Sequence, residues 1–138
     1  STMVGMCKRR IIRSSKQKLE VWGIHSSVNM RIEYDDVAHD VALAQHCHLP
    51  TEDGHAPTLT QLQTGINFIH EMVTAGGKVY IHCRSGLGRA PMAVAYFVSQ
   101  GYSLSEAVKI VERKRPFIQL TSWQIELLQH FVENLNTG

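Results

Sequence analysis

The stretch Val79-Tyr80-Ile81-His82-Cys83-Arg84-Ser85-Gly86-Leu87-Gly88-Arg89 carries the strongest signal in the chain. An apolar run typical of a β-strand ends in His-Cys, five residues follow, and an arginine opens an apolar segment typical of a helix. A loop of this length can turn its backbone N–H groups inward and form an anion site at the helix N-terminus. A cysteine at the floor of that site, beside an arginine, is favoured as a thiolate. The stretch therefore predicts a nucleophile inside a phosphate-binding loop.

This stretch resembles the phosphate loop of the cysteine-dependent protein tyrosine phosphatases, whose pattern is H-C-x-x-G-x-x-R. Two further segments carry the resemblance beyond the loop. The segment His48-Leu49-Pro50-Thr51-Glu52-Asp53-Gly54 is similar to the family's general-acid loop, and Asp53 precedes the loop cysteine by 30 residues, as in the small dual-specificity branch. Arg115-Pro116 and Gln124 resemble the family's closing segment, so the match extends from about Trp22 to Phe131.

The residue types in this pattern suit phosphate-ester chemistry. Cys83 would attack phosphorus, and the planar fork of Arg89 would hold two phosphate oxygens. Asp53 would protonate the leaving oxygen, with Glu52 and Asp40 as alternatives. The phosphate would be bound by the loop residues Arg84, Ser85, Gly86, Leu87, Gly88 and Arg89.

Supporting roles fall to two further residues. His82 is expected to brace the loop by hydrogen bonds, because it precedes Cys83 on a strand and points to the opposite face. Gln124 has two alternative roles: orienting the hydrolytic water, or completing a helix capping box with Thr121. The resemblance implies no cofactor and no metal.

Ala90 departs from the family pattern, which has Ser or Thr after the loop arginine. The family's hydroxyl is understood to help the cysteine leave when the intermediate is hydrolysed. With alanine there, we expect a slower second step.

The natural substrate is left open by the sequence. The resemblance favours phosphoproteins carrying phosphotyrosine, phosphoserine or phosphothreonine. Arg84 and the segments around Asp53 and Arg115 are also similar to mitochondrial phosphatidylglycerophosphate phosphatase, so a phospholipid or phosphoinositide is the alternative. More distant alternatives are a pseudophosphatase that only binds phosphorylated ligands, and an arsenate reductase using Cys7 and Cys47 as relay thiols.

A second group of chemically active residues, His46, Cys47, His48 and His55, resembles a metal-ligand cluster. On a strand His46 and His48 share one face and Cys47 the other, so the three side chains are not expected to converge on one ion. Cys47 is also a candidate for trapping an oxidised Cys83 as a disulfide.

Composition limits the organisation of the chain. With 138 residues and 43% apolar content, we expect a single catalytic domain over 1–138. A net charge of +2 gives no reason to expect nucleic-acid binding. Three cysteines and no long apolar run favour a reducing, cytoplasmic location without membrane insertion, with mitochondrial or membrane-surface association as alternatives. The oligomeric state is not predicted.

Strands and helices in the expected order give an α/β three-layer sandwich, with a mixed or parallel sheet between helices. Residues 1–18 form a basic segment, interpreted as an edge strand, and Arg10–Ser15 resembles an early family strand. We also expect a helix over Lys16–Trp22, a strand over Ser27–Ile32 and a short helix within Tyr34–Gln45. Capping boxes predict helix starts at Thr58, Ser103 and Thr121, and an apolar central helix covers Pro91–Val98.

Overall fold

The computed structural model describes residues 4–7, 11–51, 57–82, 89–114, 120 and 122–137. Within these residues the chain forms four strands and five helices, with two strands in succession before the second helix and three helices in succession after the last strand. The strands are β1 (Val4–Cys7), β2 (Ile24–Arg31), β3 (Gln45–Thr51) and β4 (Lys78–His82). The helices are α1 (Arg13–Val21), α2 (Leu59–Thr74), α3 (Arg89–Ser99), α4 (Leu104–Lys114) and α5 (Ser122–Thr137).

The four strands form one parallel sheet in the order β1-β4-β2-β3. Parallel neighbours cannot be joined by a tight hairpin, and β2 and β3, which are consecutive in the sequence and paired in the sheet, are joined by the long connection 32–44. In the sequence α1 stands between β1 and β2 and α2 between β3 and β4, and neither of these two strand pairs is adjacent in the sheet. All strands therefore end at the same edge of the sheet. The stretch 83–88, which follows central strand β4, starts from that edge.

Helices cover both faces of the sheet. Along β4, Val79 and Ile81 pack with α2, α3 and α5, whereas Tyr80 between them packs with Leu19 of α1 on the opposite face. This alternation is the period-two pattern of a strand that is buried on both sides. The expected three-layer α/β sandwich is confirmed, and its sheet is parallel.

The expected central helix is α3, and it is buried along most of its length. Its buried side chains are Ala90, Pro91, Met92, Ala93, Val94, Ala95, Tyr96 and Val98. A helix that is apolar on all sides must be enclosed, and α3 packs against α2, α4 and α5. Its first residue is Arg89, so the end of β4 and the start of this buried helix are fixed on either side of residues 83–88.

Two of the three predicted capping boxes are formed. The backbone N–H of Thr58 donates to Gln61 Oε1 at 3.0 Å, and the N–H of Gln61 donates back to Thr58 Oγ1 at 3.1 Å. Ser103 and Glu106 exchange the same two bonds at 3.0 and 3.1 Å. These reciprocal bonds satisfy N–H groups that a helix start leaves unpaired. The third box includes Thr121, which lies outside the described residues.

The basic N-terminal segment folds differently from its expected course. The edge strand is Val4–Cys7, and the expected strand at Arg10–Ser15 is wrong because residues 13–15 already belong to α1. Ser15 Oγ accepts from the N–H of Ile12 at 2.8 Å, which starts the helix three residues before Lys16. The strand expected at Ser27–Ile32 is β2, shifted toward the N-terminus.

The short helix expected within Tyr34–Gln45 is also wrong, since this connection consists of turns. Asp35 Oδ1 accepts from the N–H of Val37 at 3.0 Å, a local bond that competes with helical pairing. Asp40 has a positive φ of 56°, which right-handed helical geometry excludes. The N–H of Val41 then donates to the carbonyl of Asp36 at 2.9 Å and closes the turn.

Candidate active site

The candidate site lies at the carboxyl edge of the sheet, where β4 ends. Cys83, Asp53 and the loop residues 84–88 lie outside the described residues, and Arg89 is described by its backbone alone, as the first residue of α3. The described residues therefore define the frame of the site. It consists of a central strand ending at His82 and a buried helix whose N-terminus begins at Arg89. Such a helix start favours an anion.

The strand that precedes Asp53 ends at the same edge. β3 pairs with β2, and β2 pairs with β4, so β3 is two strands away from β4. At strand spacings of about 4.8 Å, the two strand ends are about 10 Å apart. Thr51 is the last residue of β3, and the side chain of Gln61 donates to the carbonyl of Pro50 at 2.8 Å. The start of α2 thus fixes the backbone shortly before Asp53.

His82, the last residue of β4, is completely buried. Its Nε2 lies 3.2 Å from Oδ2 of Asp36, which is itself only 3% exposed. The ring also lies beside Tyr80, with centroids 5.5 Å apart. His82 lies on the α1 side of the sheet with Tyr80, as expected for residues two apart on a strand.

Asp36 was not identified from the sequence. It stands 46 residues from His82, in the connection where a helix was expected, and no local pattern distinguishes it from its exposed neighbour Asp35. The pairing follows from the parallel topology, which brings the connection after β2 to the end of β4. A long-range contact of this kind leaves no periodic signal in one sequence.

A hydrogen-bond network fixes the connection that carries Asp36. The side chain of Asn29 donates to the carbonyl of Tyr34 at 2.6 Å and accepts from the N–H of Arg31 at 2.9 Å. The hydroxyl of Tyr34 donates to the carbonyl of Ile11 at 2.9 Å, and its ring stacks on His39 at 4.0 Å.

Asn29 is also the register partner of His82. The network therefore anchors the turn directly beside the end of β4.

Two other residues singled out from the sequence are buried. Gln124, in the first turn of α5, is 1% exposed, and Ala90, in the first turn of α3, is 2% exposed. Burying a glutamine side chain lowers the free energy of unfolding unless its amide is hydrogen-bonded. Gln124 does make a polar interaction. Ala90 presents a methyl group where the family pattern has a hydroxyl.

The histidines of the second group bind backbone atoms separately. His46 Nδ1 lies 3.2 Å from the carbonyl of Leu43, and His48 Nε2 lies 2.6 Å from the carbonyl of Arg31. Among the described residues no three His, Cys, Asp or Glu side chains converge as metal ligands, and His55 lies outside them. Cys47 is partly buried against the apolar cluster that packs between the sheet and α2, α3 and α5, and this burial raises the pKa of its thiol.

Across the part of the chain that the structure covers, no helix combines the length and the apolar character that a membrane crossing requires.

Comparisons with known proteins agree with this frame. Residues 4–102 match the family described as "Tc-R-P: Polymorphic toxin system, DSP-PTPase phosphatase". Dual specificity protein phosphatase 1-B of Xenopus laevis is 31% identical over 120 residues, which are 84% of this chain and 32% of that protein. The human "Phosphatidylglycerophosphatase and protein-tyrosine phosphatase 1" is 34% identical over 77 residues, 54% of this chain and 38% of that protein. The chain thus spans about a third of the length of these relatives.

Solved structures share the fold along nearly the whole chain. The crystal structure of Tk-PTP in its G95A mutant form superposes with a TM-score of 0.82 at 28% identity, covering 98% of this chain and 93% of that one. The structure of PTPMT1 in complex with PI(5)P gives a TM-score of 0.86 at 22% identity, over 99% and 96% of the two chains. Together with the family match, these likenesses show that the chain belongs to the DSP-PTPase phosphatase family, in its small dual-specificity branch.

Proposed function

We propose that this chain is a catalytic domain that hydrolyses phosphate monoesters of phosphoproteins, on tyrosine, on serine or threonine, or on both. The observation that carries the proposal is the frame of the site. A parallel sheet brings the end of β3, the end of β4 and the start of α3 to one edge, in a chain that matches the DSP-PTPase family. This arrangement supports a loop between His82 and Arg89 that binds a phosphate group at a helix N-terminus.

In the first step, the thiolate of Cys83 attacks phosphorus. An S–P bond forms, the P–O bond to the leaving group breaks, and Asp53 gives its proton to the departing oxygen. Arg89 and the N–H groups of residues 84–88 hold the phosphate oxygens, where charge is spread in the transition state. No metal or cofactor enters this scheme.

In the second step, water attacks the phosphocysteine and Asp53 takes a proton from it. The S–P bond breaks and Cys83 leaves as a thiolate, which returns the enzyme to its starting state. Gln124 is proposed to orient this water, and the burial of Gln124 at the start of α5 suits a fixed side chain. His82 is proposed to brace the loop from the α1 side of the sheet.

Phosphate release from an aryl phosphate tests the proposal, measured with reductant and chelator for the wild type and for Cys83→Ser. We expect turnover by the wild type and none by the variant. Cys47→Ser is the matched control, since the same substitution at a partly buried thiol away from β4 should leave turnover unchanged. Equal activity in the wild type and Cys83→Ser would refute the mechanism.

A phospholipid substrate is the second candidate function. It is favoured by the 34% identity to a protein named as both a phosphatidylglycerophosphatase and a protein-tyrosine phosphatase. Arg84, next to the nucleophile, is the residue proposed to meet an anionic headgroup. Comparing kcat/KM for phosphotyrosine, phosphoserine and phosphothreonine peptides with that for phosphatidylglycerophosphate in mixed micelles separates the candidates. Arg84→Ala should lower the lipid value selectively if the second candidate is correct.

The description of the matched family names polymorphic toxin systems. Growth of a host cell is therefore a second way to measure the proposed activity. Expression of the chain inside a bacterial host should slow growth if its activity serves such a system. Cys83→Ser should then restore growth at equal expression. Equal inhibition by both forms would assign the effect to something other than dephosphorylation.

A further inference from the structure

Asp36 and His82 form a buried polar contact, and stability alone does not explain why these two buried residues are polar. A carboxylate and an imidazole lose hydration when they are buried, and an apolar pair of similar volume would stabilise a core at least as well. Here the carboxylate is positioned by a closed turn, because the carbonyl of Asp36 accepts from Val41 and the adjacent Asp35 accepts from Val37. The turn thus directs one acidic side chain at the last residue of β4.

The contact with the Asp36 carboxylate calls for a proton on Nε2 of His82. An ionised carboxylate only accepts hydrogen bonds, so a bond between Oδ2 of Asp36 and Nε2 of His82 requires the proton on Nε2. The other ring nitrogen, Nδ1, is buried and has no hydrogen-bond partner among the described residues. The next residue in the chain is Cys83, where the phosphate loop begins.

The other described groups beside His82 do not hold the proton on its Nε2. Tyr80 is in ring contact with His82, and Asn29, its register partner on β2, already uses its side chain on Tyr34 and Arg31. Among the described residues, Asp36 is the charged group within hydrogen-bond distance of the ring.

We propose that Asp36 is a positioning residue for the phosphate loop. Its carboxylate holds the His82 proton on Nε2 and orients the ring, so that Nδ1 is available to a polar group of residues 83–88 and supports a reactive Cys83. This inference rests on the proposed function for the identity of the nucleophile. It goes beyond that function by assigning a role to a residue outside the loop, the acid segment and α5.

A double-mutant cycle of Asp36 and His82 tests the proposal, and the reactivity of the Cys83 thiol is the measured quantity. Asp36→Asn keeps the size of the side chain but can donate as well as accept, so it no longer specifies one His82 tautomer. The rate of alkylation of Cys83 by iodoacetamide is measured by mass spectrometry, alongside kcat for an aryl phosphate. Both are measured for Asp36→Asn in the wild-type and His82→Asn backgrounds. Asp35→Asn is the matched control, because it makes the same change at the exposed neighbouring residue.

We expect Asp36→Asn to slow alkylation and kcat by about tenfold, the scale typical of residues that orient a functional side chain. Asp35→Asn should stay within about twofold of the wild type, because the position is exposed and the amide Oδ1 of asparagine can still accept from the N–H of Val37. In the His82→Asn background the effect of Asp36→Asn should disappear, because the residue through which Asp36 acts is gone. Asp36→Glu, which keeps a carboxylate acceptor, should retain most of the reactivity.

Two results would overturn the inference: unchanged alkylation in Asp36→Asn, or the same decrease in both backgrounds. If Asp36→Asn proves unfolded by circular dichroism, Asp36→Glu decides the question, and a tenfold decrease in this folded variant would also reject it. Failure of the proposed function has a different signature. Cys83 would then be alkylated normally, with its rate dependent on Asp36, while no phosphate ester is hydrolysed.

Discussion

Gly65 in α2 and Met92 in α3 are in direct contact, and the contact leaves no room for a side chain on Gly65. A Cβ on Gly65 would lie 2.6 Å from both Sδ and Cε of Met92 and 3.0 Å from Cδ1 of Leu49. Met92 is completely buried, so its thioether cannot move into solvent. This glycine therefore sets how closely α2 approaches the helix that begins at the candidate site.

Gly65→Ala is expected to destabilise the protein by about 1–3 kcal/mol, because overpacking outweighs the gain of about 1 kcal/mol in helix propensity. Urea unfolding measures the difference. Thr64→Ala, at the exposed neighbouring position, should be close to neutral or stabilising. Met92→Ala should make room for the new methyl group, so the two substitutions should be strongly non-additive. Additive effects would show that the contact is not the cause.

Ser103→Ala should remove the N-cap of α4 and cost about 1 kcal/mol of unfolding free energy. Its hydroxyl accepts from the N–H of Glu106 at 3.1 Å, a bond that alanine cannot make. Ser105→Ala makes the same change at an exposed position inside α4 and serves as the control. Equal stability of the two variants would contradict a capping role.

The same capping box should make stability depend on pH. The backbone N–H of Ser103 and then its hydroxyl bond the carboxylate of Glu106 and lower the pKa of this group below its ordinary value, with Lys109 adding a smaller effect. A lowered carboxyl pKa contributes stability that is present above the unfolded-state pKa and is lost as pH falls through the folded-state pKa. Glu106→Gln should therefore be less stable than the wild type at pH 7, and the difference should vanish near pH 3. A difference that persists at that pH would exclude ionisation of Glu106 as its source.

Ala90→Ser should raise steady-state turnover of an aryl phosphate, because a hydroxyl next to Arg89 can stabilise the departing thiolate of Cys83. Stopped-flow measurement should show a burst of phenol in the wild type that is smaller in the variant, since the phosphocysteine intermediate would accumulate less. Ala90 is buried, so the unfolding free energy of the variant must be measured in parallel. Equal turnover without a burst in either protein would count against a slow second step.

Asp53→Asn should lower turnover most for poor leaving groups. An alkyl phosphate needs a proton on the departing oxygen, whereas a nitrophenolate leaves well without one, so the decrease should be at least about tenfold larger for the alkyl ester. The pH profile of kcat/KM should lose its basic limb, which reports the acid. Equal decreases for both esters would remove Asp53 from the acid role, and the same measurements on Glu52→Gln would then test the alternative.

Cys47 should be the slow thiol in alkylation experiments. Burial raises its pKa, so little thiolate is present at neutral pH, and the thiolate is the reactive form. Iodoacetamide should label the Cys47 peptide more slowly than the Cys83 peptide, with a rate that is still rising at pH 9. Rapid labelling of Cys47 at pH 7 would instead support Cys47 as the thiol that forms a disulfide with an oxidised Cys83.

The sequence alone determined the features that depend on neighbours along the chain. An apolar run identified β4, a nearly continuous apolar segment identified α3, and paired capping residues located the starts of α2 and α4 at Thr58 and Ser103. Each signal lies within a few residues, because helix caps and strand faces are set by local geometry. The motif around Cys83 also indicated the family and the three-layer fold.

Tertiary structure decided what depends on residues far apart in the chain. The connection after β2 is anchored by Tyr34, whose hydroxyl donates to the carbonyl of Ile11, 23 residues away in the sequence. The parallel strand order then placed Asp36 against His82, 46 residues away. A buried polar pair depends on where two strand ends meet, and that position is fixed by packing of the whole sheet rather than by any local pattern.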